Sequence, residues 1–315
     1  MANRLNTCRG PSAAVVASLW LLTRVATAQQ LEPRAYSPAP LGTNTFGLSY
    51  GYSHGGVTLD PSLPIDNVHA GINSLTPYFA RTFGLLGRLA SVAVAAPYAW
   101  GTVRGDVMDV TQTVERSGLG DPQLRLAVNL IGGGALTPQE FRARTPATTL
   151  GASLTVACPY GEYFPTRLVN LGTNRWAFKP ELGVSHPSGR WTFEAYAGVW
   201  VFTANPDFFG GQRRTQDPLA AYQAHVVYNF NARTWAAFDF TYYSGGATTI
   251  NGQRRDDRQN NTRAGVTLAM PVTPRQSLKL TGSDGVTARV GTTFQTIGLT
   301  WQYLWFDSVG SAAGP

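Results

Sequence analysis

The chain has little cysteine, little charge and no long apolar run, and each shortage removes a class of protein. The longest apolar stretch, Ala13 to Leu22, is roughly 10 residues, against the ~20 that a transmembrane helix needs. Arg4 and Arg9 precede it and Ala26-Thr27-Ala28 follows with small residues, which reads as a secretory signal peptide over 1–28. Cys8 would leave with that peptide. Cys158 then remains alone, so no intramolecular disulfide can staple the mature chain, and a small apolar role suits it.

Charged residues make up 14% of the chain, against roughly 25% in an ordinary soluble domain. Of the formal charge of +7, three units belong to Arg4, Arg9 and Arg24, leaving a mature value near +4 that gives no case for nucleic acid. The four histidines, His54, His69, His186 and His225, are scattered without metal-ligand spacing or a neighbouring Cys pair. His225 reads as a polar filler. No metal, cofactor or nucleotide motif is expected. Mean hydropathy is −0.11, which by itself would read as soluble, but strands apolar on one face only dilute that measure.

What the chain does have is alternation. Phe46, Leu48, Tyr50 and Tyr52 interleave with Thr45, Gly47, Ser49 and Gly51, so a strand here is apolar on one face and small or polar on the other. Similar segments recur near 68–83, 90–100, 124–130, 150–160, 176–185, 191–201, 222–230, 238–242, 263–270, 278–280 and 297–305. The pattern predicts an all-β chain, a transmembrane antiparallel up-and-down β-barrel of about twelve strands, with lipid on the apolar face and a wet lumen on the other. Aromatic pairs such as Tyr98 with Trp100 and Trp191 with Phe193 suit the headgroup layer.

Connection lengths agree. External loops are expected near 53–67, 101–117, 161–174, 204–217, 244–260 and 283–292, and tight periplasmic turns at Gly84–Gly87, His186–Arg190, Asn231–Arg233 and Thr273–Arg275. Gly132 to Pro146 breaks the rule of short turns. Its Thr137-Pro138-Gln139-Glu140 predicts a short helix capped by Thr137, with Glu140 reaching back. The organisation is then a signal peptide at 1–28, a Pro-rich periplasmic segment at 29–42, the outer-membrane barrel at 43–306 and a tail at 307–315.

Several stretches carry a family resemblance: Leu31-Glu32-Pro33-Arg34-Ala35-Tyr36-Ser37-Pro38, Gly118-Leu119-Gly120-Asp121-Pro122, Leu168-Val169-Asn170-Leu171-Gly172-Thr173-Asn174-Arg175-Trp176 with Lys179-Pro180-Glu181, Phe208-Phe209-Gly210-Gly211, and Gln216-Asp217-Pro218-Leu219. Through them the chain resembles the outer-membrane transporter family named after the MetA pathway of phenol degradation. That resemblance implies an association with aromatic-compound breakdown and brings no catalytic residues. Barrels usually close on an aromatic residue read by the barrel-assembly machinery, an implied partner, whereas here Asp307 to Pro315 follow Trp305 and Phe306.

Two groups of residues are candidates for function. Arg125, Lys179, Glu181, Glu194, Asp239, Arg263 and Lys279 share the lumenal parity, where they either pair across strands or line a path. Phe208 and Phe209, with Arg213, Arg214 and Asp217, lie in an external loop that would capture small aromatics if its rings were exposed; the alternative is a solvated loop tied by surface pairs. Gly47-Leu48-Ser49-Tyr50-Gly51 matches GxSxG, but that motif needs a strand-to-helix elbow and here sits inside a strand. The reading is a non-enzymatic channel in the outer membrane, contacting lipid and a small hydrophobic or aromatic solute. A membrane-embedded hydrolase, a structural barrel without transport and a soluble secreted β protein are the alternatives.

Overall fold

A computed structural model describes residues 31–58, 65–107, 110–167 and 169–307; the expected signal peptide at 1–28 and the tail after Asp307 lie outside the described residues, as do 29–30, 59–64, 108–109 and 168. Twelve strands form the barrel: β1 (Thr43–Thr58), β2 (Ile65–Leu85), β3 (Arg88–Ala95 and Tyr98–Val107), β4 (Val110–Leu119 and Gln123–Ile131), β5 (Thr149–Ala157), β6 (Ala177–Ser188), β7 (Trp191–Phe202), β8 (Leu219–Asn229), β9 (Trp235–Gly245), β10 (Gln259–Pro271), β11 (Gln276–Ala288) and β12 (Gln295–Phe306). Each pairs antiparallel with its neighbours in sequence, and β12 closes on β1 from Thr43↔Phe306 to His54↔Gln295. Closure leaves no membrane-level edge to satisfy, which is why a sheet can live in lipid.

The predicted alternation is the wall of this barrel. Phe46, Leu48, Tyr50 and Tyr52 face outward, as do Leu124, Leu126, Leu154, Leu182, Phe193, Phe238 and Leu299, all exposed although large and apolar. Only a lipid solvent makes such a surface stable. Ser49 lies inside β1 with its hydroxyl 2.9 Å from that of Thr300, so no nucleophile elbow exists.

Three features sharpen the expected outline. First, several presumed external loops are strand: β1 runs to Thr58, and the β3–β4 hairpin pairs out to Val107↔Val110. In these outer segments the outward face turns polar, as at Thr102 and Arg104, while Val57 and Val103 lie inward, so the apolar-outward alternation is lost while the hydrogen-bond ladder continues. Second, β3 and β4 each break, at Ala96-Pro97 and Gly120–Pro122; proline cannot donate to a ladder, and Gly120 N–H bonds Pro97 O at 2.8 Å across the break. Beyond it, the Val110–Leu119 segment pairs with β3 alone. Third, the long connection after β4 carries the expected helix α1 (Pro138–Ala143), with both halves of the Thr137/Glu140 capping box formed.

Candidate functional site: the lumen and its N-terminal segment

The described part of the Pro-rich segment, expected to lie on the periplasmic side, is packed inside the barrel instead. Tyr36 is almost wholly buried. Its ring lies over Gly151 of β5 and Gly183 of β6, where a Cβ would come within 2.2 Å of ring carbons; glycine at these inward positions makes the space the ring fills. Tyr196 meets the ring edge-on at 5.1 Å between centroids, and the Arg125 guanidinium lies 5.0 Å over it.

Polar contacts fix the segment. The Tyr36 hydroxyl donates to Glu181 Oε1 at 3.1 Å and lies 2.9 Å from Ser153 Oγ. Arg34 takes a positive φ of 67°, which turns its N–H onto Glu194 Oε2 at 2.6 Å; Ser185 and Tyr196 hydroxyls donate to the same carboxylate, each at 2.8 Å. Arg34 then reaches Asn229 Oδ1 and the face of Trp235, while Leu31 lies against Gly265 of β10. The segment therefore crosses the lumen.

The seven lumen-parity charges are all inward, but they divide into separate groups. Glu181 pairs with Lys179 at 2.9 Å and Arg125 at 3.9 Å, beneath Tyr36. Glu194 holds the Arg34 backbone. Asp239 accepts from Thr267 Oγ1 at 2.7 Å and lies 2.6 Å from His225 Nδ1, so His225 is more specifically placed than a filler. Arg263 donates to Ser283 Oγ at 2.8 Å. Lys279 is half-buried on β11, with no carboxylate at ion-pair distance among the described residues. Pairing thus dominates, as a low-dielectric interior demands.

Toward the external end the lining becomes apolar. Ala157, Ala177, Trp200, Leu219, Ala221 and Tyr243 form one buried inward layer on β5 to β9, joined by Phe202. Val57, Val68, Ala70, Val103, Val169, Val290 and Phe294 form a second on the opposite side. The external level is the more apolar one, although cations edge it: Arg175 lies 4.4 Å over the Phe202 ring and Lys179 5.6 Å over that of Trp200.

The external loop residues depart from expectation. The loops after β7 and β9 build a small sheet of Asn205–Phe208, Gln212–Gln216, Thr248–Ile250 and Gln253–Arg254. Its own core takes Phe208 and Ile250, with Phe209 half-buried beside them, so the rings are not presented for capture. Arg214 is buried over Phe208 at 5.1 Å, and burial pushes its guanidinium below the usual arginine range. Arg213 is exposed. Asp217 pairs at 2.6 Å with Arg254, not with Arg213 or Arg214. That pair is solvent-facing, so Arg254→Ala is expected to change unfolding stability by less than about 1 kcal/mol in denaturant titration.

What sequence reasoning missed is the segment's role and the groups that receive it: Arg34, Tyr36, Ser153, Ser185 and Tyr196. The available signal was the pair of inward glycines at Gly151 and Gly183, on strands otherwise filled by larger residues.

Residues 41–303 match the family described as "Putative MetA-pathway of phenol degradation", and the chain belongs to it. Among solved structures the fold is similar to the COG4313 outer membrane channel from Pseudomonas putida F1, at TM-score 0.73 and 20% identity, covering 88% of this chain and 100% of that one. It is also similar to the transport unit of the autotransporter AIDA-I from Escherichia coli, at TM-score 0.51 and 8% identity, covering 90% and 95%. No curated protein matches. The chain is an outer-membrane β-barrel.

Proposed function

We propose that the chain is a passive, non-enzymatic channel for small hydrophobic or aromatic molecules. The observation that carries this reading is the inward apolar layer of Trp200, Leu219, Ala221 and Tyr243 at the external end of the lumen. These side chains give the level more hydrocarbon than a pore for hydrophilic solutes would, even with the Arg175 and Lys179 cations set against its rings. An apolar solute exchanges water for hydrocarbon there and is stabilised by roughly 25 cal/mol per Å² buried. Membership of a family named for phenol degradation, and the similarity to a protein described as an outer membrane channel, support the same class.

In this reading the inner charges serve the N-terminal segment. Glu181, with Lys179 and Arg125, and Glu194 hold it, while Asp239, Arg263 and Lys279 line the remaining wall. The external sheet, with Phe208, Phe209, Arg213, Arg214 and Asp217, acts as a rigid cap beside the mouth and does not take the solute on its rings. A hydrolase is disfavoured by one detail: His225 is aligned by Asp239, yet its Nε2 has no hydrogen-bond partner, so the pair lacks a nucleophilic hydroxyl.

The test is uptake by cells with and without the protein, across a panel of small aromatic compounds at limiting concentration, with a sugar as the hydrophilic control. Faster uptake of one or more aromatics and unchanged sugar uptake are expected. Equal rates for every aromatic would sink the proposal.

A further inference from the structure

The five periplasmic connections, four tight turns and the longer one that carries α1, share a composition that the channel reading does not use. Each carries or adjoins an exposed arginine: Arg88 after the β2–β3 turn, Arg142 on α1, Arg190, Arg233 and Arg275. Among these connections the one carboxylate is Glu140, and it is occupied by the capping box of α1. At the chain ends Asp307 is likewise occupied, by Arg81 at 2.7 Å and Asn44. The periplasmic rim is therefore a ring of cations without free counter-charges. The external side mixes its signs, with pairs such as Arg254 to Asp217, Arg289 to Asp256 and Arg167 to Glu162.

The neighbours of these arginines indicate what they meet. Leu86, 95% exposed, stands beside Arg88 with Leu85; Phe230 and Val272, both more than half exposed, accompany Arg233 and Arg275. Arg190 donates to the hydroxyl of Tyr228, whose ring packs edge-on against Trp191 on the lipid-facing side, and Phe230 packs on Tyr228 in turn. A soluble acidic partner or an ion in transit needs the cations but not exposed hydrocarbon around them. A phospholipid needs both, because its phosphate and its acyl chains meet at this depth.

We infer that the periplasmic rim binds anionic phospholipid headgroups of the inner leaflet of the outer membrane, one arginine per turn, with phosphatidylglycerol as the type of ligand. Connections recur every second strand, so the arginines stand roughly 10 Å apart along the rim, close to one headgroup each. The ring would anchor the barrel at a fixed height and keep its periplasmic mouth against an anionic annulus.

The experiment is lipid retention by the mature chain in vesicles of phosphatidylcholine with 20 mol % phosphatidylglycerol, extracted mildly and the bound lipids quantified. The native chain should retain phosphatidylglycerol several-fold above its bulk ratio, less so at high salt. The R88Q/R142Q/R190Q/R233Q/R275Q variant should fall to the bulk ratio, and R190Q/R275Q, which keeps the fold at less risk, should fall part of the way. An external variant, R104Q/R213Q/R254Q/R255Q/R258Q, should retain as much as the native chain. Bulk-ratio retention by the native chain, undiminished retention by both rim variants, or an equal loss in the external variant would overturn the inference. So would a shifted zero-current potential in a KCl gradient with unchanged lipid retention, since the ring would then serve ions in transit.

Discussion

A mature chain beginning at Pro40 is expected to conduct several-fold more current per barrel in planar bilayers than the native chain. The segment from Leu31 to Ala39 crosses the lumen from β10 to β4, and a twelve-stranded barrel lies between the side-chain-filled eight-stranded kind and the open sixteen-stranded porins, so little width remains beside it. Its loss need not prevent folding. The ladder from β1 to β12 makes no backbone hydrogen bond to residues 31–39, which are held through side chains such as Glu181, Glu194 and Tyr196. Those groups become wet once the segment is gone, which relieves the cost of leaving them unpaired. Gly183→Val provides an independent route to the same state, because a Cβ there would overlap the Tyr36 ring, and ring and side chain cannot share the site. Both chains should show the higher conductance. If neither differs from the native barrel, the segment is not what limits passage.

Much of the fold was legible because one physical rule acts on every strand. Lipid outside and a lumen inside force Phe46, Leu48 and Tyr50 to one parity and Gly47 and Ser49 to the other, and the rule survives without any alignment. The Thr137 to Glu140 helix start was legible for a similar reason, since its capping chemistry is local. What was not legible depends on contacts between distant residues. Arg34 and Glu194 are 160 positions apart, and nothing in Leu31 to Pro40 says on which side of the barrel mouth it will lie. The loop rings failed for another cause. Phe208 reads as exposed in a charged loop, but the loops after β7 and β9 supply strands to one sheet and give that ring a core of its own. Charges at lumenal parity were found by pattern, whereas their grouping into the Glu181, Glu194 and Asp239 sets needed the barrel to be closed.

Leu219→Asp is expected to cut aromatic uptake about tenfold or more while leaving the barrel able to conduct ions. Leu219 is fully buried in the inward layer with Trp200, Ala221 and Tyr243. A carboxylate in this packed layer would be unpaired, at a cost of several kcal/mol, so it would draw water into the level that the solute must pass. A small ring passing this level then loses apolar contact on one side and must displace ordered water, and each 1.4 kcal/mol lost is a factor of about ten. Ions gain from the same change. With the mature chain started at Pro40 as background, conductance should stay the same or rise, and the two readouts should move in opposite directions. Leu219→Met, similar in volume and apolar, should preserve uptake, which separates the loss of hydrocarbon from a mere change of shape. A fall in both uptake and conductance would mean that the aspartate damages the barrel. Unchanged uptake would mean that the solute travels by another path than the layer formed by Trp200, Leu219 and Tyr243.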